Sequence, residues 1–494
     1  MIKSSVSEKT GLVQAPTAKR IVIDPVSRVE GHGRVTIVLD ERGKVRRCRL
    51  HITEFRGFER FIQGRLLWEV PVIVQRLCGI CPVSHHLTAA KAMDFIVGID
   101  AIPPAAEKLR RLMHYGQMLQ SHATHFYHLA SPDFLFGPEA GPLERSIAGV
   151  IKRYPEFAHR GIMLRKFGQE IIEATAGKKV HGTGAVPGGV NKNLSISERD
   201  GFLAGMRDII DWSAQAVSFI KDLLIDRKEG PSLLGDFESN HLCTVAPGGG
   251  MDLYGGRLKA ITATGKPIFD QVPCGDYLSY IREEVQPWSY AKFPFIVPLG
   301  PRRGWFRVGP LARLNVCASI DTPKAEAARR EFSAQTSGKP NNFTMWYHWA
   351  RMIEGLHAAE KINDLLHDNE LQSSDLIAAR GERREEAVAV LEAPRGTLLH
   401  HYRVDGNDQI TMANLIVPTT ENNEPMNQAV TQVVEYFINE KPWVTDVMLD
   451  HVEVAVRAYD PCLSCSTHAI GSMPLVVELY DAKGCLIQTV SRPS

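Results

Sequence analysis

The chain carries almost no net charge: 57 Lys and Arg stand against 56 Asp and Glu in 494 residues. Without a basic excess, it has no electrostatic footprint for nucleic acid or for an anionic membrane surface. Also missing is any uninterrupted run of about 18 apolar residues, the length a membrane span needs. The opening MIKSSVSEKTGLVQAPTAKR lacks the apolar core of a secretory signal, so a soluble, cytoplasmic protein is expected. No internal repeat, low-complexity tract or long linker divides the text. Three Gly/Pro-rich stretches, at 181–190, 246–256 and 298–305, lack the strand-to-helix setting of a phosphate or dinucleotide loop. They read as tight connections between helices. Partners are therefore expected among proteins and small molecules.

What is present points to an α+β chain, predominantly α. Residues 20–23, 34–39 and 45–52 read as strands, the last two forming a hairpin around DERGK, with Cys48, Leu50 and Ile52 on one face. Helical spacing begins at Pro82. Long helices are predicted over 104–129 and 197–224, and Trp346, Trp349, Met352, Ile353, Leu356, Ala359 and Ile362 form one apolar stripe. Alternation in VEVAVRAYD predicts a strand over 452–460, and PLVVELYDAKGCLIQTVS a hairpin around DAKG. The domain reading is one large body, 1–468, with an N-terminal sheet over 20–60, a mainly helical bundle over 82–440 and a metal-binding segment over 450–468.

Nine cysteines are an odd set for a disulfide framework, and four of them fall in two C-x-x-C pairs. One pair lies in RLCGICPVSH (76–85), the other in DPCLSCSTH (460–468). Four thiolates hold one soft or borderline metal, and each C-x-x-C turn lets two sulfurs converge on it. A structural zinc site usually has its pairs about 15–20 residues apart, because the metal organises a short loop. Here nearly the whole chain separates them, which suits a catalytic or redox metal clamped inside a finished fold, though zinc remains open. Cys78 and Cys81 precede a predicted helix whose N-terminal dipole favours thiolate, and Arg76 adds a positive neighbour.

The motifs R-x-C-G-x-C-x-x-x-H and D-P-C-x-x-C-x-x-H at opposite ends of the chain resemble the signature of nickel-iron hydrogenase large subunits. Further matches are RVEGHGRV (28–35), FRGFE (55–59), PGGV (187–190), VGPLARLN (308–315), ARMIEGLHAAE (350–360), APRG (393–396) and VPTT (417–420). The variants RLCGICPVSHH and DPCLSCSTH look most like the cytosolic NAD-reducing, bidirectional branch. The resemblance implies Cys78 and Cys462 as terminal nickel ligands, and Cys81 and Cys465 as bridges to an iron that also carries CO and cyanide. It implies Glu30 as the first proton-relay group beyond Cys462, Arg395 over the open metal face, and Pro394 beside it. Asp460 would pair with Arg395, Thr419 would hydrogen-bond a cyanide, and His85 would donate to a bridging sulfur. Glu59 and His468 match residues that hold a magnesium ion in many members.

Each residue also has a plain reading. Without its motif, Glu30 is a carboxylate paired with Arg28 or Arg34, and His85 and His86 are helix-start histidines. Thr419, Arg395 and Asp460 are surface or turn residues. His122, His125 and His128 at i, i+3, i+6 hint at another metal, but core or helix-surface histidines are the simpler account. Many relatives have Asp-His where this chain has Ser121-His122, so an outer carboxylate near the site is replaced by a hydroxyl.

Heterolytic cleavage of dihydrogen needs one partner for the hydride and a base for the proton, and thiolates serve both needs. Cys48, Cys243, Cys274, Cys317 and Cys485 are scattered, so the resemblance implies an iron-sulfur small subunit for electron exit and a diaphorase carrying flavin and NAD. It further implies nickel-insertion proteins and a maturation protease cutting between His468 and Ala469 to release residues 469–494. Two other functions stay open: an electron-transfer scaffold like the related respiratory complex I subunit, which lacks the four cysteines, and a zinc-stabilised structural protein.

Overall fold

The computed structural model describes residues 19–137, 139–141, 143–226, 234–441, 443–467, 475–480 and 486–492. Lys19–Ile23, Gly33–Leu39 and Val45–Ile52 form an antiparallel meander. Asp40 closes its turn by accepting from the backbone N–H groups of Arg42 and Lys44, both at 2.9 Å. One face of this sheet, including Val35, Ile37 and Leu50, joins the main core.

That core is a bundle of long helices. Pro104–Ala123 packs on Pro155–Ala176 and on Tyr347–His367, which packs in turn on Ile196–Asp226. The first crossing depends on two glycines. A Cβ on Gly168 would lie 2.5 Å from the carbonyl oxygen of Gly116, and one on Gly116 would lie 2.8 Å from Ile171, so only bare backbones fit there.

The α+β, predominantly α architecture is the one expected, but the structure changes several elements. The helix predicted over 104–129 is α-helical only to Ala123; Thr124–Ala130 follows as a π-helical turn. Residues 452–460 are not a strand: they lie largely within the helix Asp446–Ala458, capped by Thr445. Every residue from His451 to Ala458 is buried, so no polar face reveals the helical period and the alternating valines imitate a strand. Within residues 82–440 sheets interrupt the helices, and two of them have more than two strands. One orders Phe306–Arg307, Asn240–Val245, Arg257–Ile261 and Pro267–Val272; the other is the meander Glu386–Ala393, Gly396–Val404, Ile410–Ile416. The stretch 246–256 therefore joins two strands rather than two helices, 298–305 leads into a strand, and Ala185–Val186 with Gly189–Val190 makes a small hairpin. The C-terminal strands Leu475–Tyr480 and Leu486–Arg492 do pair as a hairpin. No helix among the described residues is long and apolar enough to cross a membrane.

The meander Glu386–Val404–Ile416 lies against the helix Pro82–Ile96, and their shared core encloses all four motif cysteines. An ion network ties this layer to the bundle. Arg313, fully buried, meets Glu354 at 2.6 and 2.7 Å and Glu392 at 2.7 Å, while His122 reaches Glu354 at 3.1 Å. Burial alone raises the Glu354 carboxyl, but Arg313 and His122 outweigh it and bring it down to about 2. Arg313→Met would leave two buried carboxylates without their counter-charge. We expect a loss of about 3–5 kcal/mol in stability, read from the urea unfolding midpoint. Arg384→Ala, which breaks the exposed pair with Asp100, should leave that midpoint unchanged.

Candidate metal centre

Local backbone explains where each sulfur stands. Cys78 follows the short helix Val74–Leu77 in an extended conformation, and Cys81 caps the helix Pro82–Ile96, whose first turn tolerates Pro82 because that N–H has no intrahelical acceptor. The tight turn between them aims the N–H groups of Ile80 and Cys81 at the Cys78 sulfur, at 3.2 and 3.1 Å. Gln117 and Gln120 of the long bundle helix hold the Ile80 carbonyl, both at 2.8 Å, which pins this loop to the bundle.

The second pair is held by the N-terminal segment. Cys462 bridges Glu30 in strand fashion, Leu463 N donates to the Glu30 carbonyl at 2.9 Å, and Ser464 N donates to Glu30 Oε2 at 3.1 Å. Gly31 makes this contact possible. Its φ is +82°, and a Cβ there would fall 2.8 Å from Ser464 N and 2.9 Å from Leu463 Cβ. Cys462 Sγ lies 3.0 Å from Glu30 Oε2, and Cys465 opens the turn Cys465–Thr467.

All four sulfurs are buried and lie within 4.8 Å of one another, with Cys78 to Cys462 at 3.3 Å, Cys462 to Cys465 at 2.8 Å and Cys81 to Cys465 at 4.0 Å. Burial carries Cys462 and Cys465 well above the ordinary thiol value. For Cys78, burial is outweighed by hydrogen bonds from the other three thiols and by Arg395, and its value falls well below. Protein groups alone thus favour the thiolate at Cys78 and disfavour it at Cys462 and Cys465; a multivalent cation would let these thiols ionise together.

A small cavity, with room for about one water molecule, opens beside the sulfurs, lined by Cys81, Cys462 and Cys465 with Ser84, His85, Pro394, Arg395, Val417 and Thr419 among others. Arg395 pairs with Asp460 at 3.0 Å and also donates to the Asp460 carbonyl. Burial works against its charge, but Asp460 and the thiols Cys81, Cys462 and Cys78 raise it well above the usual value, so the guanidinium stays ionised. Its Nη1 is buried with no partner among the described residues, as is Oγ of Ser121. Thr419 Oγ1 accepts from Cys462 N at 2.9 Å, which leaves its own O–H to donate.

The structure thus brings Cys78, Cys81, Cys462, Cys465, Glu30, Arg395, Pro394, Asp460, Thr419 and His85 to one place. Arg28 turns instead to Leu129 and Asp133, and Arg34 to Asp24. His86 spends both ring nitrogens on backbone, Pro71 O at 2.9 Å and Ala185 N at 3.1 Å, as a core histidine does. His122 and His125 face separate partners, Glu354 and the Arg457 carbonyl, and the cysteine quartet is the one group with metal-ligand geometry among the described residues. Glu59 is buried and accepts from Leu415 N at 2.7 Å, while Thr467 O accepts from Arg56 and Gly57 at 3.0 and 3.3 Å. His468, Ala469 and Cys485 lie outside the described residues. Sequence reading overlooked His400, stacked on His85, and Tyr402, which meets His400 edge-on; the signal available was HHY three residues after APRG, where strand alternation puts the first and third residues on one face.

A profile of the nickel-dependent hydrogenase family matches residues 56–138 and 288–468, and a HoxL-like profile matches residues 20–55. The chain is 47% identical over 488 residues to the NAD-reducing hydrogenase HoxS subunit beta of Cupriavidus necator, covering 96% of this chain and 100% of that protein. It is 44% identical over 416 residues to a subunit of the F420-non-reducing hydrogenase vhu of Methanocaldococcus jannaschii, covering 84% and 99%. Among solved structures, an NAD+-reducing NiFe hydrogenase in the H2-reduced state superposes with a TM-score of 0.89 at 52% identity, over 92% of this chain and 100% of that one. The Ni-Fe-Se hydrogenase of D. vulgaris Hildenborough, in the reduced state, gives 0.73 at 25% identity over 92% and 100%. With more than half of its residues matched by the family profile and similarity running nearly end to end, this chain belongs to the nickel-dependent hydrogenase large-subunit family.

Proposed function

We propose that this catalytic subunit cleaves dihydrogen reversibly and heterolytically to two protons and two electrons. The electrons then pass through an iron-sulfur small subunit, then a flavin-containing diaphorase, to NAD. The observation that carries the reading is the buried quartet of sulfurs within 4.8 Å, with a carboxylate 3.0 Å from one of them. The NAD-reducing names of the Cupriavidus necator relative and of the 0.89 structural neighbour support the acceptor.

The donor set fits a nickel-iron centre. Four soft, buried thiols converge, and a charged guanidinium whose Nη1 has no partner among the described residues lines the same cavity. Cys78, Cys81, Cys462 and Cys465 would hold the nickel and the iron, the iron carrying CO and cyanide. That centre, when bound, supplies the acceptor for the electron pair. The chain itself handles the proton: Cys462 Sγ takes it and Glu30 Oε2 receives it across 3.0 Å, steadied by the Ser464 N–H. Arg395, clamped by Asp460, turns a fixed positive charge to the cavity, and Thr419 holds Cys462 N while presenting its O–H. Glu59 with His468 would hold magnesium. No second cluster of cysteines exists among the described residues, and Cys243 and Cys317, 3.9 Å apart, form only a pair, which is why electrons need a partner protein.

We read residues 1–468 as the working cytoplasmic body and 469–494 as a tail removed by a maturation protease after nickel insertion. The family profile's match ends at 468, which supports that boundary.

Metal analysis of the native complex should find nickel and iron, and infrared spectra should show CO and cyanide bands; zinc alone would sink the assignment. Intact-mass measurement of nickel-loaded, active protein should end at His468, and active protein that retains 469–494 would refute the processing step. Glu30→Gln should keep its nickel and iron while H2-dependent dye reduction falls about 10²–10⁴-fold; unchanged turnover would remove Glu30 from the relay.

A further inference from the structure

Glu30 and Cys462 meet through a single parallel bridge outside any sheet, so two arms from opposite ends of the chain must run side by side to form it. Something upstream has to set their register. Ser27 and Arg28 of the first arm face the helix Asp446–Ala458, which leads into the second. Ser27 donates its N–H and its hydroxyl to Glu453, at 2.8 and 2.7 Å, and Arg457 donates to the Ser27 carbonyl at 3.1 Å.

A third element grips both arms: the π-helical turn Thr124–Ala130 with the short helix Ser131–Phe136 that follows it. Asp133 stands between the arms, one carboxylate oxygen paired with Arg28 and the other with Arg457. Such charge-assisted contacts are strong and directional. The turn adds one contact to each side, since the Leu129 carbonyl accepts from Arg28 Nη1 at 2.7 Å and His125 Nε2 donates to the Arg457 carbonyl at 2.8 Å. A π turn takes up an extra residue, so the chain beyond it is rotated about the helix axis relative to an uninterrupted α-helix. That rotation decides which way Asp133 faces. Arg28 itself has φ +54°, a left-handed conformation that a residue with a side chain keeps only where its surroundings impose it. Asp133 and Leu129 supply those surroundings.

We propose that Asp133, presented by the π-helical turn Thr124–Ala130, is a positioning residue for the proton relay: through Arg28 and Arg457 it sets the two arms in the register that brings Glu30 Oε2 to Cys462 Sγ. The alignment is a matter of structure alone, whereas its consequence for the proton rests on the hydrogenase reading. A proton passes only between groups at hydrogen-bond distance, and a misplacement of about 1 Å costs on the order of 10²-fold in rate. Register set at Arg28 and Arg457 therefore reaches the relay two residues on in one arm and five in the other.

The test uses the native complex carrying Asp133→Asn or, as the milder change at a side chain 20% exposed, Arg28→Gln. Backbone amide exchange in peptides spanning 460–467 should quicken about tenfold or more in both variants, while peptides from the helix Pro82–Ile96 keep their rate. Unchanged exchange over 460–467 overturns the alignment. H2-dependent dye reduction should fall about 10–10²-fold with nickel and iron retained; loss of metal in step with activity would make these residues supports of the metal site and overturns the relay role. A double-mutant cycle separates positioning from a general structural effect. In the Glu30→Gln background Arg28→Gln should cost nothing further, because it acts through Glu30, and the same loss in both backgrounds overturns the proposal. If the unaltered complex oxidises no H2, the hydrogenase reading fails while the exchange result still decides the alignment.

Discussion

Everything at this centre depends on the clamp between Glu30 and the segment 462–464. Residues 432 positions apart in the sequence share a strand-like bridge, a backbone hydrogen bond and a carboxylate-to-sulfur contact. Glycine at position 31 permits the approach, since a Cβ would strike the Ser464 backbone. The same carboxylate that fixes the place of Cys462 also stands where a proton leaving that sulfur would go. Glu30 therefore serves both structure and proton chemistry, and the clamp brings the C-terminal thiols onto a loop already pinned to the bundle by Gln117 and Gln120.

Around that clamp the interior is rich in buried charge, and it is arranged in compensated groups. Arg313 answers Glu354 and Glu392, Arg110 answers Asp94 at 2.6 Å, and Arg395 answers Asp460. Such groups cost much more when broken than they gain when formed, so they fix relative positions more than they add stability. That suits a centre whose sulfurs must meet within a few tenths of an ångström.

Much of this was readable beforehand, and the failures have physical causes. The N-terminal meander and the helix Ile196–Asp226 announce themselves because one face of each is wet and polar residues mark the period, whereas Tyr347–His367 is buried from Tyr347 to Glu360 and its period is marked by buried Arg351, Glu354 and His357. The helix Asp446–Ala458 is dry on every side over its second half, so valine alternation misleads. The strands Glu386–Ala393 and Gly396–Val404 are nearly continuous in burial, and a short dry run does not distinguish strand from helix. The π-helical turn after Ala123 leaves no local mark at all.

By itself the sequence determined which chemistry is possible: two C-x-x-C pairs in their motifs supply soft ligands, and RVEGH, APRG and VPTT supply the groups that accompany them. Tertiary structure alone decided which of these meet. A thiol's reactivity and the setting of a buried arginine depend on distance and on exclusion of water, and both arise from contacts between segments hundreds of residues apart. Residue types are local, whereas fields and hydrogen-bond directions belong to the assembled interior.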